Sequence, residues 1–170
     1  SAGAQLVRVD AQAVQRFAVS VASRTHSPVA RTPAGRLVAA TTTELLILDQ
    51  DGRVERREPL GDQPVAGPAV ALDGSIWMIT RRGLVAFDAD GAPRAQLPSP
   101  TGGPLTHGSL AIATDGSVRA AVLGFGLVAL NPSGVRLWAL ELEQVRFAMV
   151  DAAGATLVVT QDGVLAAVDP

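Results

Sequence analysis

Five stretches of the chain end alike, in an apolar run closed by Asp or Asn: QLVRVD, LLILDQDG, LVAFDADG, LVALNPSG and LAAVDP. Their anchors are Asp10, Asp49, Asp88, Asn131 and Asp169, at intervals of 39, 39, 43 and 38 residues. A second mark precedes four of them, in TPAGRLVAAT, ALDGSIWMIT, ATDGSVRAAV and DAAGATLVVT. It centres on Gly35, Gly74, Gly116 and Gly154, at intervals of 39, 42 and 38. Two independent landmarks holding one spacing make the chain a tandem repeat. Each unit is then a supersecondary piece that buries its apolar surface only against its neighbours.

Within a unit, apolar and polar residues alternate over short runs broken by Gly, Pro, Asp or Asn, the pattern of half-buried strands joined by turns. In Pro64 to Gly103 the pattern predicts an inner strand near Ala69–Leu72, a second over Ser75–Thr80 and a third over Leu84–Asp88. An outer strand near Pro93–Leu97 completes the unit. The segment RLWALELEQVRF at 136–147 has some helical spacing, but it falls in the outer-strand slot of its repeat and is predicted as strand. Four antiparallel strands in about forty residues define a β-propeller blade. The expected fold is therefore all-β, a propeller of about four four-stranded blades. Blades are expected at 25–63, 64–104 and 105–144, with partial ones at 1–23 and 145–170, in a single domain over 1–170. The count leaves one strand over, because the opening and closing units both carry a third strand. Three arrangements remain open: a small closed ring with an extra edge strand, part of a longer ring, or half of a ring completed by a second copy. Unpaired strand edges invite pairing with another chain, which favours the latter two.

The units resemble the PQQ-like, quinoprotein-type propeller repeat, most clearly in DGVLAAVDP at 162–170 and FGLVALNPSGVRLWAL at 125–140, with Trp138 in the outer-strand Trp position. DGSIWMITRRGLVAFDADG is also similar to the blades of two-component-regulator propellers. Only one unit keeps the outer-strand Trp, Arg57 and Ala95 standing near that place in others. The acidic calcium ligands and disulfide of quinone-dependent dehydrogenases have no counterpart, so no cofactor is expected.

A formal net charge of −2 supplies no basic field for nucleic acid, and all 14 basic residues are Arg, with Lys absent. Without cysteine there is no disulfide frame and no thiolate metal site. No apolar run approaches the length of a membrane span, and a leader, if one exists, is expected to precede Ser1. The resemblance favours a periplasmic or extracellular setting.

His26 in THSP and His107 in THGS each stand nine residues before a turn glycine, at the start of an inner strand. They could face one another at one mouth of the channel, as a metal or anion site or as a repeated turn that ties imidazole to backbone. The turn is preferred, because no third ligand recurs beside them. DQDG at 49–52 and DADG at 88–91 imitate the start of a calcium loop but lack its later ligands, and Asp and Gly are what a tight turn requires. The glycine clusters at 101–104 and 124–126 precede no helix and so form no phosphate cradle. No G-x-S-x-G elbow is present. Arg81 and Arg82, on a predicted turn, join His26 and His107 as the candidate binding face.

The function expected from these features is a non-catalytic scaffold for protein–protein interaction, and the PQQ-like resemblance implies a bacterial envelope protein. Loops held on rigid blades would meet a protein or small ligand, and self-association could complete a ring. The alternatives are a sensor or small-ligand domain of a larger receptor and a truncated relative of a propeller enzyme.

Overall fold

The protein is described by a computed structural model covering residues 4–21, 23 and 28–168. Every regular element among them is a strand. The first sheet pairs β1 (Ala4–Val9) with β2 (Gln15–Val21). The second has β3 (Ala30–Arg31), β4 (Leu37–Ala40), β5 (Glu44–Leu48) and β6 (Val54–Pro59). The third has β7 (Pro64–Val70), β8 (Ile76–Thr80), β9 (Gly83–Phe87) and β10 (Pro93–Pro98). The fourth has β11 (Gly108–Ile112), β12 (Val118–Val122), β13 (Gly126–Leu130) and β14 (Arg136–Glu141), and the fifth β15 (Val145–Val150), β16 (Thr156–Thr160) and β17 (Leu165–Val168).

All pairs are antiparallel and follow chain order. The inner strands β3, β7, β11 and β15 adjoin one another in succession, so the sheets stack around a common interior. This is a β-propeller with three complete four-stranded blades, flanked by one sheet of two strands and one of three. The exchange that would close a small ring is not made: among the described residues β2 pairs only with β1, and β17 only with β16.

Alternation along each strand gives every sheet two apolar faces, one toward the preceding sheet (trailing) and one toward the following sheet (leading). The second sheet's leading face, with Val38, Ala40, Leu45 and Ile47, packs on Ile76, Met78 and Phe87 of the third. Trp77, Ile79, Leu84 and Ala86 of the third pack in turn on Val118, Ala120, Val128 and Leu130 of the fourth. The first sheet offers Leu6, Val19 and Val21 to Ala39, Leu46 and Leu48. Val158, Ala148 and Val145 of the fifth cover Ala121 and Leu127 of the fourth. The core is thus a series of thin seams, filled mostly by the Val, Leu, Ile and Ala in which the chain is rich.

Two details differ from the sequence expectation. The inner strand of the third sheet begins at Pro64, with shifts in its pairing to β8 between Pro64 and Ala69 that break the alternation of Pro64–Val70. The run 136–147 is extended, as predicted, but it belongs to two sheets: β14 ends at Glu141 and β15 starts at Val145. Gln144 makes that junction with φ of 59°, a left-handed turn without glycine inside the run predicted as strand throughout.

Candidate interaction face

The strands run so that each sheet has two unlike ends. One end carries the turns between first and second and between third and fourth strands. The other carries the middle turn and the connection to the next sheet.

The first of these ends is occupied by Asp-based turns. Asp49 Oδ1 accepts the amide N–H of Asp51 and Arg53 at 2.9 and 2.8 Å, and Asp88 Oδ1 accepts those of Asp90 and Ala92 at the same distances. Asn131 and Asp151 repeat the arrangement. The DQDG and DADG carboxylates thus cap backbone turns, and Gly91, at φ of 82°, takes the position where a side chain would be strained. Among the described residues no group of three or more His, Asp or Glu is placed to hold a metal ion. Arg36 ties the second sheet to the third here, donating to Ala89 O at 2.6 Å and Asp90 Oδ1 at 3.1 Å.

In the DGS turns the serine acts as well. Ser75 and Ser117 each donate both amide and hydroxyl to the Asp two residues earlier, the hydroxyls at 2.7 and 2.6 Å. These bonds hold the Asp73 and Asp115 carboxyls below the ordinary aspartate value of 3.8, the serine hydroxyl contributing most. Behind Ser117 lies Arg119, buried between the fourth and fifth sheets. Its Nη1 donates to Ser117 Oγ at 2.8 Å, its Nε donates to Thr156 Oγ1 at 3.2 Å, and its guanidinium lies 5.3 Å from the Trp138 ring centroid. The buried cation thus reaches the Asp115 carboxylate through one hydroxyl.

The connection end holds the candidate residues. Arg81 and Arg82 form the middle turn of the third sheet, and both are exposed. Their backbone is fixed on three sides. The Arg81 amide donates to Gln63 O at 3.0 Å, the Leu105 amide donates to Arg81 O at 2.7 Å, and the Arg82 amide donates to Asp62 Oδ2 at 2.7 Å. His107, also exposed, lies two residues beyond Leu105, at the start of the fourth sheet. The structure therefore brings Arg81, Arg82 and His107 to one end of the molecule. His26 lies outside the described residues.

Gly83 makes the Arg81–Arg82 turn possible: its φ is 147°, and a Cβ there would run into the Leu97 carbonyl oxygen. Among the described residues neither arginine guanidinium is paired with a carboxylate.

Three clefts open at this end. One of about 320 Å³ is lined by Arg81, Arg82, Ser99 and Pro104. A second, of about 440 Å³, lies between the Pro59–Asp62 connection and the third sheet, with Arg82, Phe87 and Arg94 in its wall. A third, of about 720 Å³, is bordered by Phe125, Glu141 and Glu143. Asp62, Arg94, Glu141 and Glu143 were not singled out by the sequence, because the clefts form where a sheet's middle turn meets the connections beside it and no local motif marks them. No described helix is long and apolar enough to cross a membrane.

No protein-family model matches this chain, and no characterised protein sequence matches it. Solved structures do. The chain is similar to virginiamycin B lyase from Staphylococcus aureus, with a TM-score of 0.70 and 12% identity over 98% of this chain and 63% of that one. It is similar to BBS1N, solved in complex with ARL6DN, with a TM-score of 0.74 and 19% identity over 99% of this chain and 59% of that one. The Dos1 propeller gives a TM-score of 0.67 and 13% identity over 93% of this chain and 48% of that one. At these identities the likeness is one of fold: the chain is a propeller protein, spanning about three fifths of the length of the first two.

Proposed function

We propose that this chain is a non-catalytic propeller scaffold, of the PQQ-like repeat type and of a bacterial envelope, acting as one domain. It engages an acidic segment of a protein partner through the end that carries Arg81, Arg82 and His107. The observation that carries this reading is the pair of exposed guanidinium groups on a turn fixed by backbone bonds to three neighbouring segments, at Gln63, Ser99 and Leu105, and lacking carboxylate partners among the described residues. The fixed backbone keeps the two side chains adjacent at no further backbone cost, and charge-assisted bonds to carboxylates offset the side-chain freedom lost on binding. A propeller solved with a bound protein, BBS1N with ARL6DN, supports the class of role by analogy of fold.

A second reading, small-ligand binding, draws on the cleft of about 440 Å³ beside Arg82, which lies within the range of small-molecule sites. The lyase among the fold neighbours makes catalysis the reading to test against.

The test is fluorescence anisotropy with a labelled oligo-glutamate peptide at low salt. Binding should weaken by roughly tenfold or more in Arg81→Ala/Arg82→Ala, and should fall as salt rises. Arg53→Ala, at the opposite end, should leave it unchanged. Absence of binding to the unsubstituted protein, or equal loss in both variants, would overturn the reading.

A further inference from the structure

The repeat places one leucine in the same slot of every third strand: Leu6, Leu45, Leu84, Leu127 and Leu165. It points along the leading face. Leu45, Leu84 and Leu127 are 0, 2 and 0% exposed, each covered by the following sheet, whereas Leu165 is 68% exposed. Its neighbours on that face follow suit. Phe147 pairs with Val159 and Met149 with Leu157 across the ladder, and Leu157 and Val159 in turn face Ala167 and Leu165. Leu157 and Val159 occupy the slots that Trp77 and Ile79 hold in the third sheet, both fully buried there. The fifth sheet therefore presents a complete leading face, six apolar side chains from three strands, with nothing described against it.

The first sheet presents a two-stranded counterpart, with Val7 opposite Ala18 and Val9 opposite Gln15 on its trailing face and Gln5 opposite Ser20 at its edge. Val7 and Val9 stand in the trailing slots that Leu46 and Leu48 fill in the second sheet and Val128 and Leu130 in the fourth. Those four are at most 6% exposed, while Val7 and Val9 are 44 and 55% exposed. Contiguous exposed apolar surface of this kind marks an interaction site, and the seams already formed specify what fits it: a trailing face of the same repeat.

We propose that the leading face of the fifth sheet docks the trailing face of the first sheet of a second copy of this chain, head to tail. The choice of occupant rests on continuity with the four seams within the chain, all of which join a leading face to a trailing face. A symmetric contact between two fifth sheets would join like faces instead. The inference is independent of the role proposed for Arg81, Arg82 and His107.

The experiment is light scattering after size exclusion on the 170-residue protein over a wide concentration series. Assembly beyond the monomer is expected, and Leu165→Glu and Val7→Glu should each weaken it by roughly tenfold or more. Both side chains are exposed within one copy, so each variant should fold, and an unchanged near-ultraviolet spectrum verifies this. The chain has no native thiol. Val7→Cys/Leu165→Cys in one chain should therefore give disulfide-linked multimers on mild oxidation, and Leu165→Cys alone should give none. A monomer at every concentration overturns the proposal, as does an assembly insensitive to Val7→Glu or cross-linked through Leu165→Cys alone.

Discussion

Ser117 shows how one hydroxyl can serve two charged groups. It accepts from the buried guanidinium of Arg119, donates to the carboxylate of Asp115, and through that bond holds the carboxyl below its ordinary range. Removing the hydroxyl leaves Arg119 Nη1 short of an acceptor in a seam where water has little access, so Ser117→Ala should cost about 1–3 kcal/mol at neutral pH. The pH dependence follows from the direction of the shift. A carboxyl whose folded pKa lies below its unfolded value adds stability above the unfolded value, and that contribution disappears as pH falls through the folded one. For Asp115 this window lies below the ordinary 3.8. In Ser117→Ala the carboxyl should titrate closer to that value, and the stability difference between the two proteins should narrow as pH falls through the window. Carboxyl carbon NMR titration with urea melts at each pH reads both effects. A variant in which Asp115 titrates as before would remove Ser117 from this role.

At the level of elements, the seam between the fourth and fifth sheets is the one with a polar centre. The leading slot of the second strand holds Val38 in the second sheet, Trp77 in the third and Leu157 in the fifth, but Arg119 in the fourth. Its Nε is bonded to Thr156, a fully buried side chain of the fifth sheet, so the arginine joins two sheets that otherwise meet through apolar residues and through the Ser109 hydroxyl on the Ala148 backbone. A double-mutant cycle of Arg119→Met with Thr156→Val should give a coupling energy of about 1–3 kcal/mol, each single variant leaving a buried polar group unpaired and the double variant leaving none. Additive losses in urea unfolding would mean that the seam does not depend on this bond. The sequence registered the elements well where turn chemistry is explicit. In Pro64–Gly103, the unit whose strands were predicted, the second and third strands lie within a residue of their predicted places, because the Asp73-Gly74 and Arg82-Gly83 turns bound them. It failed where 136–147 was predicted as strand throughout but turns at Gln144, and where β7 is irregular. Of the candidate site, the placing of Arg81, Arg82 and His107 at one end was legible, since the repeat sets the direction of the strands they border. The clefts were not, because their walls join turns and connections about twenty to forty positions apart in the chain.

For the molecule as a whole, stability in a stack of repeats is the sum of what each unit holds by itself and what it shares with its two neighbours. The third and fourth sheets have neighbours on both sides, and β8, β12 and β13 are buried at every position. The first and fifth sheets have one described neighbour each and fewer strands, and β1 and β17 have no buried residue at all. Local opening should therefore begin at both ends and move inward, because freeing an end sheet gives up one seam whereas opening a central sheet gives up two. Hydrogen exchange followed by mass spectrometry should show amides of β8, β9, β12 and β13 exchanging only with global unfolding. Those of β1, β2, β16 and β17 should exchange orders of magnitude faster in a protein of ordinary stability. The same measurement reads the proposed docking at high concentration: if a second copy covers the fifth sheet, protection in β16 and β17 and in β1 should rise together as concentration rises, while the central sheets stay as they were. Uniform protection along the chain in the dilute protein would mean that the sheets unfold as one unit and that the seams do not act as separable interfaces.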